Sequence, residues 1–327
     1  MTRYIVRRLL GLVPLLLGIS FLVFALMNMV PGSPTQQIEF SPSITPADIE
    51  RIRENLGLND PWYQRYFIWL GNALQGDLGF SFLNAQPVTR IIGSAIPNTL
   101  ALSVPSLILA AAFAIPVGVL GAIKRNSIFD RTTTIFATVF YSTPTIWLAM
   151  MMILIFGVQF YEWGLPSMKF AGTKTLGGNA PTGLGAVWDR IQYLIGPVVT
   201  LTIGSMAAWT RYVRAQMLET INQDYIRTAN AKGIKYRKVV MGHAFKNAML
   251  PLVTLIGLSV PDIFGGSLIV ENVFGYRGMG IVTVEALQFS DYSVAMAAVM
   301  FYAVLTVIGN LLADVLYGVL DPRVRLD

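Results

Sequence analysis

The sequence predicts an all-α integral membrane protein with six transmembrane helices and with both termini in the cytoplasm. Three observations support this fold class. Of the 327 residues, 54% are hydrophobic and only 13% are charged, whereas soluble domains carry about 25% charged residues. The apolar residues are concentrated in six long blocks, as expected for a chain whose solvent is lipid. Most of the basic residues lie in segments that a six-span arrangement places on the same side of the membrane.

Each of the six blocks is long enough, or nearly so, to cross a bilayer. A hydrocarbon core about 30 Å thick requires roughly 20 apolar residues in a helix. The blocks cover residues 9–30, 99–123, 132–160, 193–210, 248–270 and 292–320. The first four contain no Asp, Glu, Lys or Arg, while the fifth contains Asp262 and the sixth contains Asp314. We therefore expect one transmembrane domain over residues 1–327.

The distribution of Lys and Arg predicts the orientation, because cytoplasmic loops carry an excess of these residues. With the N-terminus inside, the cytoplasmic segments hold sixteen of the 24 basic residues and the external segments hold eight. Four of those eight lie in segment 31–97, and the rule applies only to short loops, so these four are left out of the comparison. The sequence therefore predicts cytoplasmic termini, an extracytoplasmic insert at 31–97 and a cytoplasmic loop at 211–247.

The insert after the first helix is predicted to form short helices on the outer membrane surface. Thr45 and Pro46 are suited to begin one helix, as the cap and the first helical residue. Asp60 and Pro61 open a second segment that is rich in aromatic residues, which favour the membrane interface. The insert is either a structural cap or a docking surface for an external partner, and the sequence leaves both open.

Composition and motifs exclude several classes of function. The chain has no cysteine and one histidine, His243, which excludes disulfides, thiolate metal sites and a multi-histidine metal site. The sequence also lacks the P-loop, H-E-x-x-H and G-x-S-x-G motifs. We therefore assign no catalytic residue, no metal site and no cofactor to this chain. The net charge of +6 does not indicate nucleic-acid binding, because loop 211–247 alone has eight basic and two acidic residues.

That cytoplasmic loop carries the most informative pattern in the sequence. It predicts a helix, a break at Gly233 and a second helix that leads to Pro251. Glycine permits a left-handed turn that other residues resist. The small residues Ala229 and Ala231, which come just before the break, would let another backbone approach closely.

The loop resembles the segment with which ABC importer permeases insert into a groove on a cytoplasmic ATPase. The general pattern of that segment is Glu-Ala-Ala-x-x-x-Gly. In this sequence Ala229 and Gly233 match, whereas Arg227 replaces the Glu and Thr228 replaces the first Ala. These departures fit the dipeptide/oligopeptide/nickel permeases, which have a Thr-Ala-x-Ala-Lys-Gly version of the pattern.

The resemblance covers nearly the whole chain. Further matching fragments, in order, are Arg7–Leu10, Pro31–Pro34, Asn98–Leu102, Ser142–Pro144, Val270–Gly280, Asp291–Tyr292 and Asp321–Arg325. The long insert after the first helix is similar to the B-type subunit of these systems rather than to its shorter C-type partner. The resemblance implies the type I ABC importer permease fold in a prokaryotic plasma membrane.

The resemblance also implies the partners and the contact residues. The expected partners are a homologous C-type permease, two ATPase subunits that bind ATP and Mg²⁺, and an extracytoplasmic solute-binding protein. The expected cargo is a dipeptide or an oligopeptide, with a nickel chelate, glutathione or an oligosaccharide as the alternatives. The residues expected to form the coupling loop are Tyr225, Arg227, Thr228, Ala229, Asn230, Ala231, Lys232, Gly233, Lys235, Arg237 and Lys238.

Four residues are candidates for the substrate pathway: Tyr141, Ser142, Ser259 and Asp262. A carboxylate inside the membrane is costly and is often functional, although Asp262 follows Pro261 and could instead cap a helix break there. An ion-coupled secondary transporter is the alternative from a different class. It predicts inverted repeats and ionisable residues at the membrane midplane, and the sequence shows only Asp262 and no evident repeat.

Overall fold

A computed structural model describes residues 2–29, 59–81, 83–166, 168–177 and 180–320, with a few isolated positions between 45 and 54. Within these residues, six helical stretches are long and apolar enough to cross a membrane. They are Leu10–Met29, Val88–Ile123, Thr145–Glu162, Leu184–Ile221, Tyr236–Gly257 and Tyr292–Leu311. The predicted number of spans is therefore confirmed.

The helices are numbered here in chain order, and each label covers the whole helical element. The helices before the loop are α1 (Thr2–Met29), α2 (Trp62–Leu74), α3 (Val88–Ile123), α4 (Ile128–Ser142), α5 (Thr145–Met152) and α6 (Leu184–Ile221). Those that follow are α7 (Asp224–Ala231), α8 (Tyr236–Val239), α9 (Phe245–Phe274), α10 (Met279–Gln288) and α11 (Tyr292–Leu320). π-Helical turns extend α5 over Ile153–Gln159 and join α8 to α9 over Val240–Ala244. A two-residue hairpin pairs β1 (Phe80–Ser81) with β2 (Gln86–Pro87).

The third apolar block, residues 132–160, is not one continuous helix. Helix α4 ends at Ser142, and α5 begins at Thr145. Pro144 lacks the N–H that would continue the helix, and it disfavours helical geometry in the residue before it. Thr143 is accordingly extended, with φ −82° and ψ 124°. The membrane span is therefore Thr145–Glu162, and α4 is a separate helix before it.

Two other boundaries also differ from the prediction. Helix α6 continues to Ile221 rather than ending near residue 210, so the first third of the predicted loop 211–247 is helical. Helix α3 begins at Val88, so the last ten residues of the predicted insert 31–97 belong to that helix. The prediction used the loss of apolar composition to set the ends. A helix can continue past the hydrocarbon core, because its backbone hydrogen bonds do not depend on lipid.

The aromatic helix predicted after Pro61 is confirmed as α2. Tyr66 is its buried anchor on α1, and the Tyr66 hydroxyl lies 2.9 Å from Ser20 Oγ. The Tyr66 ring also makes edge-to-face contacts with Phe21 and Phe24, an arrangement that aromatic pairs favour. The helix predicted to begin at Thr45 and Pro46 falls almost wholly outside the described residues.

Contacts divide the chain into two compact units, each built from two separate stretches. The first unit combines Met1–Thr99 with Arg277–Val307, and its apolar core includes Val88, Met279 and Ala298. Within it, the Met279 N–H donates to Thr99 Oγ1 at 2.7 Å. The second unit combines Leu100–Tyr276 with Ile308–Asp327. The single domain expected over residues 1–327 remains a prediction.

Close packing of α3 on α6 holds the second unit together. A Cβ added to Gly118 would lie 2.7 Å from Val213 Cβ and 2.8 Å from the Thr210 carbonyl oxygen. Only glycine permits that approach, as is common where membrane helices pack. Helix α6, which leads directly to α7, is therefore packed against the core of its unit.

Candidate coupling surface and transport pathway

The loop that was predicted to be cytoplasmic has the expected helix–turn–helix form. Helix α7 ends at Ala231, and the Gly233 N–H donates to the Asn230 carbonyl at 3.0 Å. Gly233 has φ +73°, so the predicted left-handed turn is confirmed. A Cβ added to Gly233 would have no described atom within 4 Å. The turn therefore needs glycine for its backbone conformation and not for close packing within this chain.

Helix α7 has two faces with different neighbours. Ile226 and Ala229 are 1% and 9% exposed, and they pack with Val239, Val240 and Ala244 in the unit's apolar core. The remaining predicted coupling residues are exposed: Tyr225, Arg227, Thr228, Asn230, Ala231, Lys232, Gly233, Lys235, Arg237 and Lys238. Ala229 therefore packs α7 onto its own chain, whereas Ala231 is the small residue on the outer surface.

The exposed face of the loop is strongly basic. Five of its residues carry positive charge: Arg227, Lys232, Lys235, Arg237 and Lys238. The ion pair of Arg227 with Asp224 is 3.5 Å long and exposed, so it contributes little to stability. Asn247 Nδ2 donates to the Tyr225 hydroxyl at 2.9 Å, which joins α7 to the start of α9. A surface of this form is suited to a partner with an acidic groove.

A buried ion pair joins the 124–131 turn to α6. Arg214 Nε and Nη2 donate to Asp130 Oδ1 and Oδ2 at 2.5 Å and 2.9 Å. Oδ2 of Asp130 also accepts the Asn126 N–H at 2.8 Å, and the Asp130 side chain is 3% exposed. The hydrogen bond from Arg214 holds the pKa of Asp130 below its ordinary value. Sequence reasoning missed this pair, although Ser127 and Asp130 have the spacing of a helix cap.

The four pathway candidates have different surroundings. Tyr141 is 58% exposed, and the Arg211 guanidinium carbon lies 5.1 Å from its ring centroid. Ser142 is exposed at the end of α4. Ser259 Oγ donates to the Leu255 carbonyl of its own helix at 2.7 Å. The side chain of Asp262 lies outside the described residues, so its role in the pathway remains a prediction.

Arg211 also lines a polar pocket between α3, α4 and α6. The pocket has a volume of about 240 Å³. Its polar lining residues are Thr133, Thr134, Thr138, Thr210, Arg211 and Arg214. The sequence analysis missed the pocket because its residues come from three helices, and its polar residues come from two of them that are about 70 positions apart.

The loop before α6 is held by a compact set of contacts. Asp189 accepts hydrogen bonds from Lys169 Nζ at 2.5 Å and from the Thr175 backbone N–H at 2.7 Å. Phe170 fills a groove left by two glycines, because a Cβ on Gly157 or Gly196 would lie 2.8 Å or 2.5 Å from its ring. The loop is therefore fixed to the helices on either side of it.

Six apolar spans, a basic helix–turn–helix loop and a polar pocket between helices define the membrane subunit of a transporter. Two family descriptions match the chain: residues 114–326 match "Binding-protein-dependent transport system inner membrane component", and residues 1–103 match its N-terminal counterpart. The chain belongs to this family of permeases. It is accordingly a multi-pass protein of the plasma membrane and a permease subunit of an ABC importer.

The chain is similar to curated permeases over its full length. It is 41% identical to the oligopeptide transport system permease protein AppB of Bacillus subtilis, over 99% of this chain and 100% of that protein. It is 37% identical to the dipeptide transport system permease protein DppB of Escherichia coli K12, over 99% of each chain. It is 35% identical to the glutathione transport system permease protein GsiC of Escherichia coli O6:H1, again over 99% of each.

The fold is also found in a solved transporter. The chain matches a structure of the MetNI methionine ABC transporter in an inward-facing conformation, with a TM-score of 0.54 and 19% identity. The match covers 71% of this chain and 97% of that one. The predicted ABC importer permease fold is therefore confirmed.

Proposed function

We propose that this chain is the B-type permease of an ABC importer that moves dipeptides or oligopeptides into the cell. The full-length similarity to oligopeptide and dipeptide permeases, at 41% and 37% identity, supports this proposal most directly. Glutathione, itself a small peptide, is the second candidate, because the chain is also 35% identical to a glutathione permease.

The proposed complex has four further subunits besides this chain. A C-type permease encloses the path together with this chain, two ATPases bind beneath them, and a solute-binding protein delivers cargo from outside. The exposed basic face of the loop, centred on α7 and Gly233, contacts one ATPase. ATP and Mg²⁺ bind to the ATPases in the proposed complex. This chain binds neither of them, and it binds no nucleic acid.

ATP-driven uptake tests the function. Vesicles that contain the complete complex should accumulate radiolabelled peptide when ATP is sealed inside and the binding protein is outside. Uptake should continue after ionophores collapse the ion gradients, because hydrolysis and not ion flow drives it. The purified chain alone should hydrolyse no ATP, as expected without a P-loop. Uptake that stops with the ion gradients would instead support a secondary transporter.

The proposed orientation places segment 31–97 outside and the coupling loop inside. The chain has no native cysteine. A single cysteine introduced at the exposed position Gln86 or Thr228 is then the chain's only thiol, so its labelling shows on which side of the membrane that position lies. In intact cells, a membrane-impermeant maleimide should label Gln86→Cys and leave Thr228→Cys unmodified until the cells are opened. The opposite labelling pattern would reverse the orientation that the Lys and Arg distribution predicts.

A further inference from the structure

The pocket between α3, α4 and α6 contains one positive charge that has no counter-ion among the residues that the structure describes. Its two arginines lie one helical turn apart on α6, and their surroundings differ. Arg214 is paired through two hydrogen bonds with Asp130. Arg211 forms no ion pair with any residue that the structure describes, and it lies over the ring of Tyr141. A guanidinium stacked on an aromatic face keeps its N–H groups free to donate at its edges.

The pocket also contains a hydroxyl group without a hydrogen bond. Thr210, next to Arg211, is 5% exposed, and its Oγ1 has no partner among the described residues. Other threonines of the pocket are satisfied by their own helix: Thr133 donates to the Phe129 carbonyl and Thr138 to the Thr134 carbonyl, each at 2.8 Å. A buried hydroxyl left without a partner costs about 1–3 kcal/mol. Thr210 also lines the pocket, so a ligand that reached this hydroxyl would give it the partner that it lacks among the described residues.

Arg211 lies where α6 leaves its apolar stretch. It directly follows the uncharged residues 193–210 and is exposed on the surface of the chain. A charged side chain is costly in contact with lipid, and near the end of a span it extends toward water or a counter-charge. Tyr141, which supports Arg211, was itself predicted to line the substrate pathway. If Tyr141 lines the path as predicted, the open side of this pocket faces the same path, because Arg211 lies over the Tyr141 ring.

We propose that Arg211 and Thr210 form a transient site for the C-terminal carboxylate of a peptide as it crosses the membrane. This inference rests on the proposed peptide-import function. The carboxylate is the anionic group that every unmodified peptide has, whatever its side chains. A guanidinium binds it through two parallel hydrogen bonds, and a neighbouring hydroxyl supplies a third. One such site, which contacts the peptide's terminus and not its side chains, suits a pathway that must accept many sequences and then release them.

Binding is tested first, in the complete importer complex reconstituted in phosphatidylcholine. Thr138 is an exposed pocket residue, and Thr138→Cys gives the complex's permease chain a single thiol, because the native chain has none. A saturating dipeptide should slow thiol labelling, whereas its C-terminal amide should bind about tenfold more weakly, the effect expected when a charged hydrogen-bond partner is removed. Equal protection by the dipeptide and its amide would overturn the proposal.

Transport provides the second readout. Arg211→Gln should lower ATP-driven peptide uptake about tenfold, because the peptide carboxylate loses its charged partner. Arg211→Lys, which keeps the charge without the paired donors, should retain part of the uptake. Arg190→Gln is the matched control, because Arg190 is an exposed arginine of the same helix about 30 Å away. Normal uptake by Arg211→Gln would overturn the site and leave the importer function standing.

Two other outcomes separate the remaining explanations. If phosphatidylglycerol in the vesicles slows labelling of Thr138→Cys and peptide does not, the pocket is a lipid-headgroup site and the proposal is wrong. If vesicles with the unmodified complex accumulate no peptide at all, the proposed function fails, and the peptide site fails with it. The unmodified complex therefore distinguishes failure of the function from failure of the site.

Discussion

Replacing Asp130 with leucine is expected to destabilise the permease by about 3 kcal/mol, the lower end of the cost of breaking a buried ion pair. The variant leaves Arg214, whose side chain is 26% exposed, without the carboxylate that binds two of its nitrogens. It also removes the acceptor for the Asn126 N–H, a residue held at φ +64°. The apparent melting temperature of the detergent-solubilised complex should fall, with loss of monodisperse material on size exclusion.

A double variant separates loss of charge pairing from loss of packing. Asp130→Leu combined with Arg214→Leu removes both charges, and replacing both members of a buried pair is often nearly neutral. We expect the double variant to recover most of the melting temperature that Asp130→Leu loses. A single variant as stable as the unmodified protein would show that the pair does not hold the 124–131 turn to α6.

The pH dependence of the stability that this ion pair contributes follows from the direction in which the pKa of Asp130 is shifted. The hydrogen bond from Arg214 lowers the pKa of Asp130 in the folded protein, relative to about 3.9 for an unperturbed aspartate. The stabilisation is therefore complete above pH 4 and is lost only as the pH falls through the lowered pKa. The difference in stability between the unmodified protein and Asp130→Asn should be constant from pH 8 to pH 5 and should shrink below pH 4.

The features that the sequence predicted correctly depend on composition or on local backbone preference. Six apolar blocks gave six spans, and Pro61 followed by aromatics gave α2. The left-handed turn at Gly233 followed from the one residue type that tolerates it at no cost. Each of these needs only neighbouring residues, so a single sequence is sufficient to predict it.

The features that it missed depend on contacts between distant segments. Nothing local indicates that Asp130 meets Arg214, 84 positions later, or that Phe170 fits between Gly157 and Gly196. The inward face of α7 is a similar case, because Ala229 is small enough for either a partner surface or its own core. Only the packing of α7 on residues such as Val239 decides between the two.

Helix α6 connects the candidate coupling surface to the candidate pathway. Its last turn leads through Asn222 and Gln223 to α7, and its last third carries Arg211 and Arg214. The close contact of Gly118 with Val213 fixes this same stretch of α6 to α3. A displacement of α7 by an ATPase would therefore be transmitted to the pocket through one continuous helix, without a flexible loop between them.

Replacing Gly233 with valine is expected to uncouple the ATPases from transport. A β-branched residue at φ +73° costs about 1–3 kcal/mol of backbone strain. No described atom lies within 4 Å of the new Cβ, so the strain is confined to the turn between α7 and α8. The permease should still insert and pair with its partner permease. Peptide uptake should fall about tenfold, as expected for roughly 1.4 kcal/mol lost at the ATPase contact, and less ATPase should co-purify.

Three other variants in the same loop show whether the effect is specific to Gly233 and to the exposed face of α7. Gly242→Val is the control, because Gly242 is exposed, lies in the π-helical turn Val240–Ala244 without a positive φ, and has open space around it. Ala231→Asp should weaken ATPase binding at unchanged melting temperature. Ala231 lies on the exposed face, and the new carboxylate would neutralise part of the basic surface that is proposed to contact the ATPase. Ala229→Asp should instead lower the melting temperature, because it places a charge in the apolar core beside Ile226. If Gly233→Val and Ala231→Asp both retain full ATPase binding and full uptake, the exposed face of α7 is not the coupling surface.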